Sequence, residues 1–509
     1  MKSLMKLLAL VLACLMLVTT FVACGGSTET ETQKNGAETG APETDSGKET
    51  DATVVEDDVP KDLRFNGETV TFFTRNDHDL WKYEMDVDTI MNDTLFDAIY
   101  YRNKTVEERL GVTIDTLEMA GTYAKRAEWN DALRTAVNTQ TGDYDAAAIY
   151  MSTGSALAVE GMYYNVIDFP YINLNQLWWN KDIQEELTLF GTLYYLAGDI
   201  AITETAGGGV IFYNKDLFDK HYGAQGIDIY AEVTNGKWTI DRLHELASNV
   251  HEDLNGDGLV SEGDIVGYGD TDPSNGSDGS RDAWVAAMGL SITTMVNGMP
   301  ELTFYNSRTI QAFEKIQNLY LRNPGTLALS GREVSTFSNG YVLFQRGDLN
   351  TGSSLREMKD RYGVLPMPML DEAQYQDLGY QTSCVNTCSL ITILSCLPES
   401  RKDVVGATIE LMAAESYKQV RPAYFEVALK SKYSEDPNDA AMYDIVLDSF
   451  TFSFGYCYST ESLKAVGNMF RDFTADIAEK WDANDEVYEE KLQTLIDGLD
   501  EAAYKAMFG

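Results

Sequence analysis

The chain has 509 residues, enough for two or three domains. Hydrophobic residues at 44% and aromatics at 11% can fill large cores, which excludes a disordered bulk. Asp and Glu outnumber Lys and Arg 80 to 39, and the resulting net charge of −41 repels phosphate backbones and argues against nucleic acid as a partner.

The first 23 residues have a basic start, Met1 to Lys6, and an apolar run, Leu7 to Val18. This is the pattern of a bacterial secretion signal. Phe21-Val22-Ala23-Cys24 resembles a lipobox with Cys24 as the lipidated residue, although Phe21 stands where Leu is usual. An ordinary cleavage site with an incidental Cys is the alternative. No later apolar run is long enough to span a bilayer, so a lipid is the expected membrane tie. Residues 25–60 are rich in Gly, Ser, Thr, Glu and Asp, lack aromatics, and read as a solvated tether. Residues 24–63 are thus expected to be anchor and linker.

Glu68 to Thr74 reads as a first strand, followed by a polar loop with Arg75, Asn76, Asp77 and Trp81. Asp97 to Leu110 and Ala127 to Asn138 read as helices, and Tyr144 to Tyr150 as another strand. Small hydroxyl residues follow that strand at Ser152 and Thr153. In α/β sheets, ligands sit beyond the carboxyl ends of strands, so these loops, with Tyr150, are candidate site edges. Alternation of strand and helix argues α/β.

Glu204, a further candidate ligand contact, lies in the segment GDIAITETAGGG, just before the apolar run Val210 to Tyr213, which has the pattern of a buried strand. Asn214 is placed to cap the next helix and Gly223 to end it. Thr239 is the N-cap of a second helix, stapled by Trp238 and Leu243. Its buried face is Leu243, Leu246, Ala247 and Val250, at i, i+3, i+4, i+7.

Residues 253–264, DLNGDGLVSEGD, place oxygen donors at Asp253, Asn255, Asp257, Ser261 and Asp264, with the Leu259 carbonyl at position 7. That is calcium-loop spacing, with Asp264 in place of the usual Glu. A solvated Asx-rich turn is the alternative reading, and any calcium would be structural. Further along, Gly340 to Phe344 is a strand ending at Gln345 to Leu349, Ser389 to Ile393 another, and Asp403 to Ser416 a helix. Phe450 to Ser459 is aromatic-rich. Cys384, Cys388, Cys396 and Cys457 lack zinc spacing and read as buried free thiols, with one disulfide as the alternative.

The order "WWNKDI", "LYYLAGDI", "FYNKDLFDKHYG", "GKWTIDRLHELA", "DLNGDG", "YGVLPMPML" resembles extracellular solute-binding proteins of family 1, the maltodextrin-binding-like lipoproteins of ABC sugar importers. The resemblance covers roughly residues 65 to 505. It implies a type II periplasmic-binding-protein-like fold, α/β and two-lobed. One lobe would be 64–198 plus 376–432 and the other 199–375 plus 433–509, with crossings near Ile200, Asp371 and Ser431. It also implies a monomer on the outer face of the cell membrane that passes a carbohydrate to permease subunits. By the same resemblance Asp348 and Tyr456 are candidate ligand contacts.

The four histidines, His78, His221, His244 and His251, have no metal-pair or triad spacing. No P-loop or GxGxxG is present, so neither an enzyme nor a catalytic cofactor is expected. A secreted polysaccharide-acting enzyme is the alternative reading, as is the same fold binding a peptide or another small solute.

Overall fold

The computed structural model describes residues 56–275, 279–429, 437–458 and 463–508, and these belong to one compact unit from Glu56 onward. The strands in chain order are β1 (Glu68–Arg75), β2 (Val112–Met119), β3 (Ala146–Tyr150), β4 (Gly209–Asn214), β5 (His251–Glu252) and β6 (Ile265–Asp270). They continue with β7 (Thr293–Val296), β8 (Met299–Leu302), β9 (Thr326–Ala328), β10 (Val342–Asp348), β11 (Tyr362–Pro366) and β12 (Ser389–Ile393). Two main sheets result. The first has the order β12-β3-β1-β2. The second has the order β11-β4-β10-β6-β5, with β9 on β6.

Why these segments are strands follows from their burial. Every residue of β3 and of β4 is buried, as expected for short apolar runs covered on both faces. β4 is antiparallel to both β10 and β11, so the crossing strand lies inside the second sheet. The caps act as the side chains dictate. Asn214 Oδ1 accepts from the Leu217 amide at 2.9 Å, starting helix Lys215–Tyr222. Thr239 Oγ1 accepts from the Arg242 amide at 3.3 Å, starting helix Ile240–Ser248. The predicted helix from Asp97 begins earlier, at Thr94, because Asp93 accepts from the Leu95 and Phe96 amides. The predicted strand from Tyr144 begins at Ala146. Tyr144 instead sends its hydroxyl to the Ala132 carbonyl at 3.0 Å.

Three segments connect the sheets side by side. The Val385 amide donates to the Gly207 carbonyl at 2.9 Å, and the Gly209 amide to the Ser383 carbonyl at 3.2 Å. The Thr382 amide donates to the Ser449 carbonyl at 2.7 Å. A Cβ on Gly208 would stand 2.6 Å from the Phe450 ring, so this packing needs glycine there. Past Asp371, Gln374 bonds the Ala287 carbonyl and Tyr380 the Val233 carbonyl. The expected crossing at Ser431 lies outside the described residues, as do the secretion signal and Cys24.

Candidate ligand-binding cleft

The carboxyl ends of β6 and β10 and the start of β4 meet the segment that leads into β12. This follows from strand direction: β10 runs parallel to β6 and antiparallel to β4. A cavity of about 170 Å³ lies there, walled by Asp270, Gln345, Asp348, Ser383, Cys384 and Tyr456, among others. A second, of about 190 Å³, is walled by His78, Trp81, Thr387 and Cys388 from the first lobe and by Asn350 from the second. Asp348 and Val385 line both, so the two form one cleft between the lobes.

The floor is electrostatically organised. Buried Asp270 accepts from Arg346 Nε at 2.8 Å and Nη2 at 2.7 Å, from the Tyr268 hydroxyl at 2.8 Å, and from the Tyr320 hydroxyl. Asp348 Oδ1 accepts from the Thr351 amide and hydroxyl, both at 2.9 Å, which fixes the carboxylate at the strand end. Burial raises the Asp348 carboxyl above the usual carboxylate range. Around the first cavity Gln345 Oε1, Ser383 Oγ and the Tyr456 hydroxyl are all buried without a hydrogen-bond partner among the described residues. Buried polar atoms are ordinarily paired, so three together mark a surface that lacks its complement.

Of the candidates named from the sequence, Trp81, Asp348 and Tyr456 come together in this cleft. The others do not line it. Arg75 is buried under the cleft wall; its Nη2 donates to the Thr387 carbonyl and Ser389 Oγ, both at 2.8 Å, and the guanidinium stacks on Trp81 and Tyr150. Its Nε and Nη1 are buried without a hydrogen-bond partner among the described residues, and it lines neither cavity. Tyr150, Ser152 and Thr153 are buried behind it, and Asn76 and Asp77 are exposed. Glu204 faces the other side of the crossing. In helix Ile202–Ala206, Thr203 turns towards Glu84 and the cleft, while Glu204 lines a separate cavity of about 350 Å³. There it accepts from Asn180 Nδ2 at 3.0 Å, and burial pushes its carboxyl up to about 7. Gln345, Ser383 and Asp270 were not foreseen. None of the three carries a local signal, and their convergence depends on strand pairing.

The loop at residues 253–264 has its carboxylates gathered. Ligand oxygens of Asp253, Asp257 and Asp264 lie within 4.8 Å of one another. Gly256 and Gly258 adopt φ of 78° and 76°, the left-handed turns such a loop needs. Asn255 instead bonds Ser261 Oγ and the Asp257 amide, and Ser261 donates to Asp264. The Leu259 side chain is exposed.

No protein-family model matches the chain, and no curated protein does. Solved structures do match. An ABC substrate-binding protein from Listeria monocytogenes, in complex with cycloalternan, is 14% identical with a TM-score of 0.50, over 86% of this chain and 98% of that one. A cyclo/maltodextrin-binding protein complexed with maltotetraose is 13% identical with a TM-score of 0.52, over 86% and 98%. UgpB from Mycobacterium tuberculosis, in complex with glycerophosphocholine, is 12% identical with a TM-score of 0.52, over 85% and 99%. The chain has the mixed α/β, two-lobed periplasmic-binding-protein-like fold of these proteins. Two of these three structures hold a sugar and the third holds glycerophosphocholine. Among the described residues, no helix is long and apolar enough to cross a membrane.

Proposed function

We propose that this protein is a substrate-binding protein that closes its two lobes around a carbohydrate and passes it, chemically unchanged, to an ABC importer. The observation that carries the reading is a set of polar atoms unpartnered among the described residues, Gln345 Oε1, Ser383 Oγ and the Tyr456 hydroxyl, around a cavity in the interlobe cleft. A sugar offers hydroxyls that both donate and accept, which suits a mixed set of amide oxygen and hydroxyls. Trp81 and Tyr456 supply apolar ring surface for sugar faces, and hinge closure removes water from the contact. The second neighbour class, a glycerophosphodiester binder, is less favoured by the charges present. Asp348, Asp270 and Glu333 line the cavity, and Arg346 is already held by Asp270.

In this reading Cys24 carries the lipid and residues 25–60 tether the body to the outer face of the cell membrane. Cys24→Ala is expected to release the protein into the medium or leave it unprocessed. The loop at Asp253 holds a structural calcium, its ligands drawn from Asp253, Asp257 and Asp264, with Asn255, Ser261 and the Leu259 carbonyl completing the set on a modest rearrangement.

Titration calorimetry with mono- and oligosaccharides, and with glycerophosphocholine beside them, tests the function. Saturable binding of a sugar at one site supports it. Binding of the phosphodiester alone would replace the ligand class, and release of shorter saccharides or reducing ends would make the protein an enzyme.

A further inference from the structure

We propose that Cys384 and Cys388 are a disulfide-forming pair that closes the wall of the ligand cleft. Their Sγ atoms stand 2.8 Å apart, against about 2.05 Å for a covalent S–S bond. Both residues are buried, at 2% and 1% exposure, and each lines one of the two cavities that share Asp348. The turn between them is already shaped for closure, because the Cys388 amide donates to the Val385 carbonyl at 3.0 Å. Their neighbours hold the same stretch from both sides. Val385 bonds the crossing at Gly207. The carbonyls of Asn386, Thr387 and Cys388 accept from the Ser152 amide, Arg75 Nη2 and the Met151 amide. A bond between the sulfurs would therefore fix the stretch that joins the first lobe to the crossing and forms the wall of the cleft.

The step is a two-electron oxidation. Two S–H bonds break and one Sγ–Sγ bond forms. The two electrons and two protons pass to a disulfide-bearing oxidant, an oxidoreductase or glutathione disulfide, which leaves as two thiols. An oxidising compartment is required, so the inference rests on the secreted placement proposed above. Burial pushes the Cys388 thiol well up, which slows exchange in the folded protein. The bond is accordingly made as the chain folds. Cys396 is half-buried and Cys457 is buried near Cys388; the proposal leaves both free.

The test uses the full chain, unfolded and refolded in a buffer of reduced and oxidised glutathione, then unfolded again and alkylated with and without prior reduction. Trypsin releases residues 362–401, which hold Cys384, Cys388 and Cys396 without an internal Lys or Arg. The expected result is one alkyl group on this peptide, at Cys396, rising to three after reduction. The Cys396→Ser variant keeps the closed loop and shows no alkyl group before reduction. Three alkyl groups without reduction, a glutathione adduct, or a link to Cys396 or Cys457 overturns the proposal. A sugar titration on the same refolded sample is scored separately: a closed loop without sugar binding counts against the function, not against the disulfide.

Discussion

Replacing Asp270 with alanine tests whether the cleft floor is held by charge. Asp270 is 1% exposed and accepts from the Arg346 guanidinium through both oxygens, from the hydroxyls of Tyr268 and Tyr320, and from the Thr271 amide at 2.7 Å. Arg346 is itself 6% exposed. Asp270→Ala removes the carboxylate that meets this buried guanidinium through both oxygens, a loss of about 3–5 kcal/mol. The tyrosine hydroxyls retain each other at 3.0 Å, so they add little to the loss. Against a total stability of about 5–15 kcal/mol, this should shift the urea midpoint far down. Because Arg346 is two residues from Asp348 on β10, sugar affinity should fall in the same variant. The pair Asp270→Leu with Arg346→Met removes both charges and should be more stable than Asp270→Ala alone. A loss below about 1 kcal/mol for Asp270→Ala, within the range of an ordinary hydrogen bond, would refute this account.

Tyr456→Phe removes one hydroxyl from the cavity and should weaken sugar binding by about 2–10-fold, as for a net hydrogen bond of about 0.5–1.5 kcal/mol. Asp348→Ala should weaken it more, and calorimetry that finds both variants unchanged would place the ligand elsewhere. Stability should fall as pH rises from about 4.5 to about 7, because burial pushes the carboxyls of Glu204 and Glu410 up to about 7. The folded chain then keeps protons that the unfolded chain releases, and the loss levels off above pH 7. For Glu204 the span from 4.5 to about 7 amounts to at most about 3 kcal/mol. Glu204→Gln should flatten that part of the profile in urea titrations at several pH values, and an unaltered slope would dismiss Glu204 as its source. Calcium should raise the melting temperature, by about 2.7 kcal/mol of stability at a hundredfold excess over Kd, and Asp257→Ala should abolish the response. Identical melting with calcium and with chelator would leave the loop a plain turn.

Local chemistry made several elements legible before any coordinates. Asn214 and Thr239 are small acceptors beside helical apolar faces, and a cap depends only on residues two or three positions away. The strand at Val210 to Tyr213 is announced by three glycines and an apolar run, and the carboxylates of the calcium-type loop are gathered by a spacing of a few residues. Asp348 and Tyr456 were candidates through the family resemblance, and both line the cleft.

Tertiary structure alone decided which side chains line the interlobe cavities. Thr203 and Glu204 are adjacent in one short helix, yet one turns to the cleft and the other to the cavity behind it. A shift of one helical position rotates a side chain by about 100°, and no composition rule says which face the crossing presents. Arg75 was placed correctly at a strand end, but Thr387, Ser389, Trp81 and Tyr150 occupy it from segments distant in the chain. Gln345, Ser383 and Tyr456 lie far apart in sequence and have no common pattern. They become neighbours only because β4 runs antiparallel to β10 and its first residues pair with the segment returning to β12. Strand pairing and crossing order, which join residues remote in sequence, made that choice.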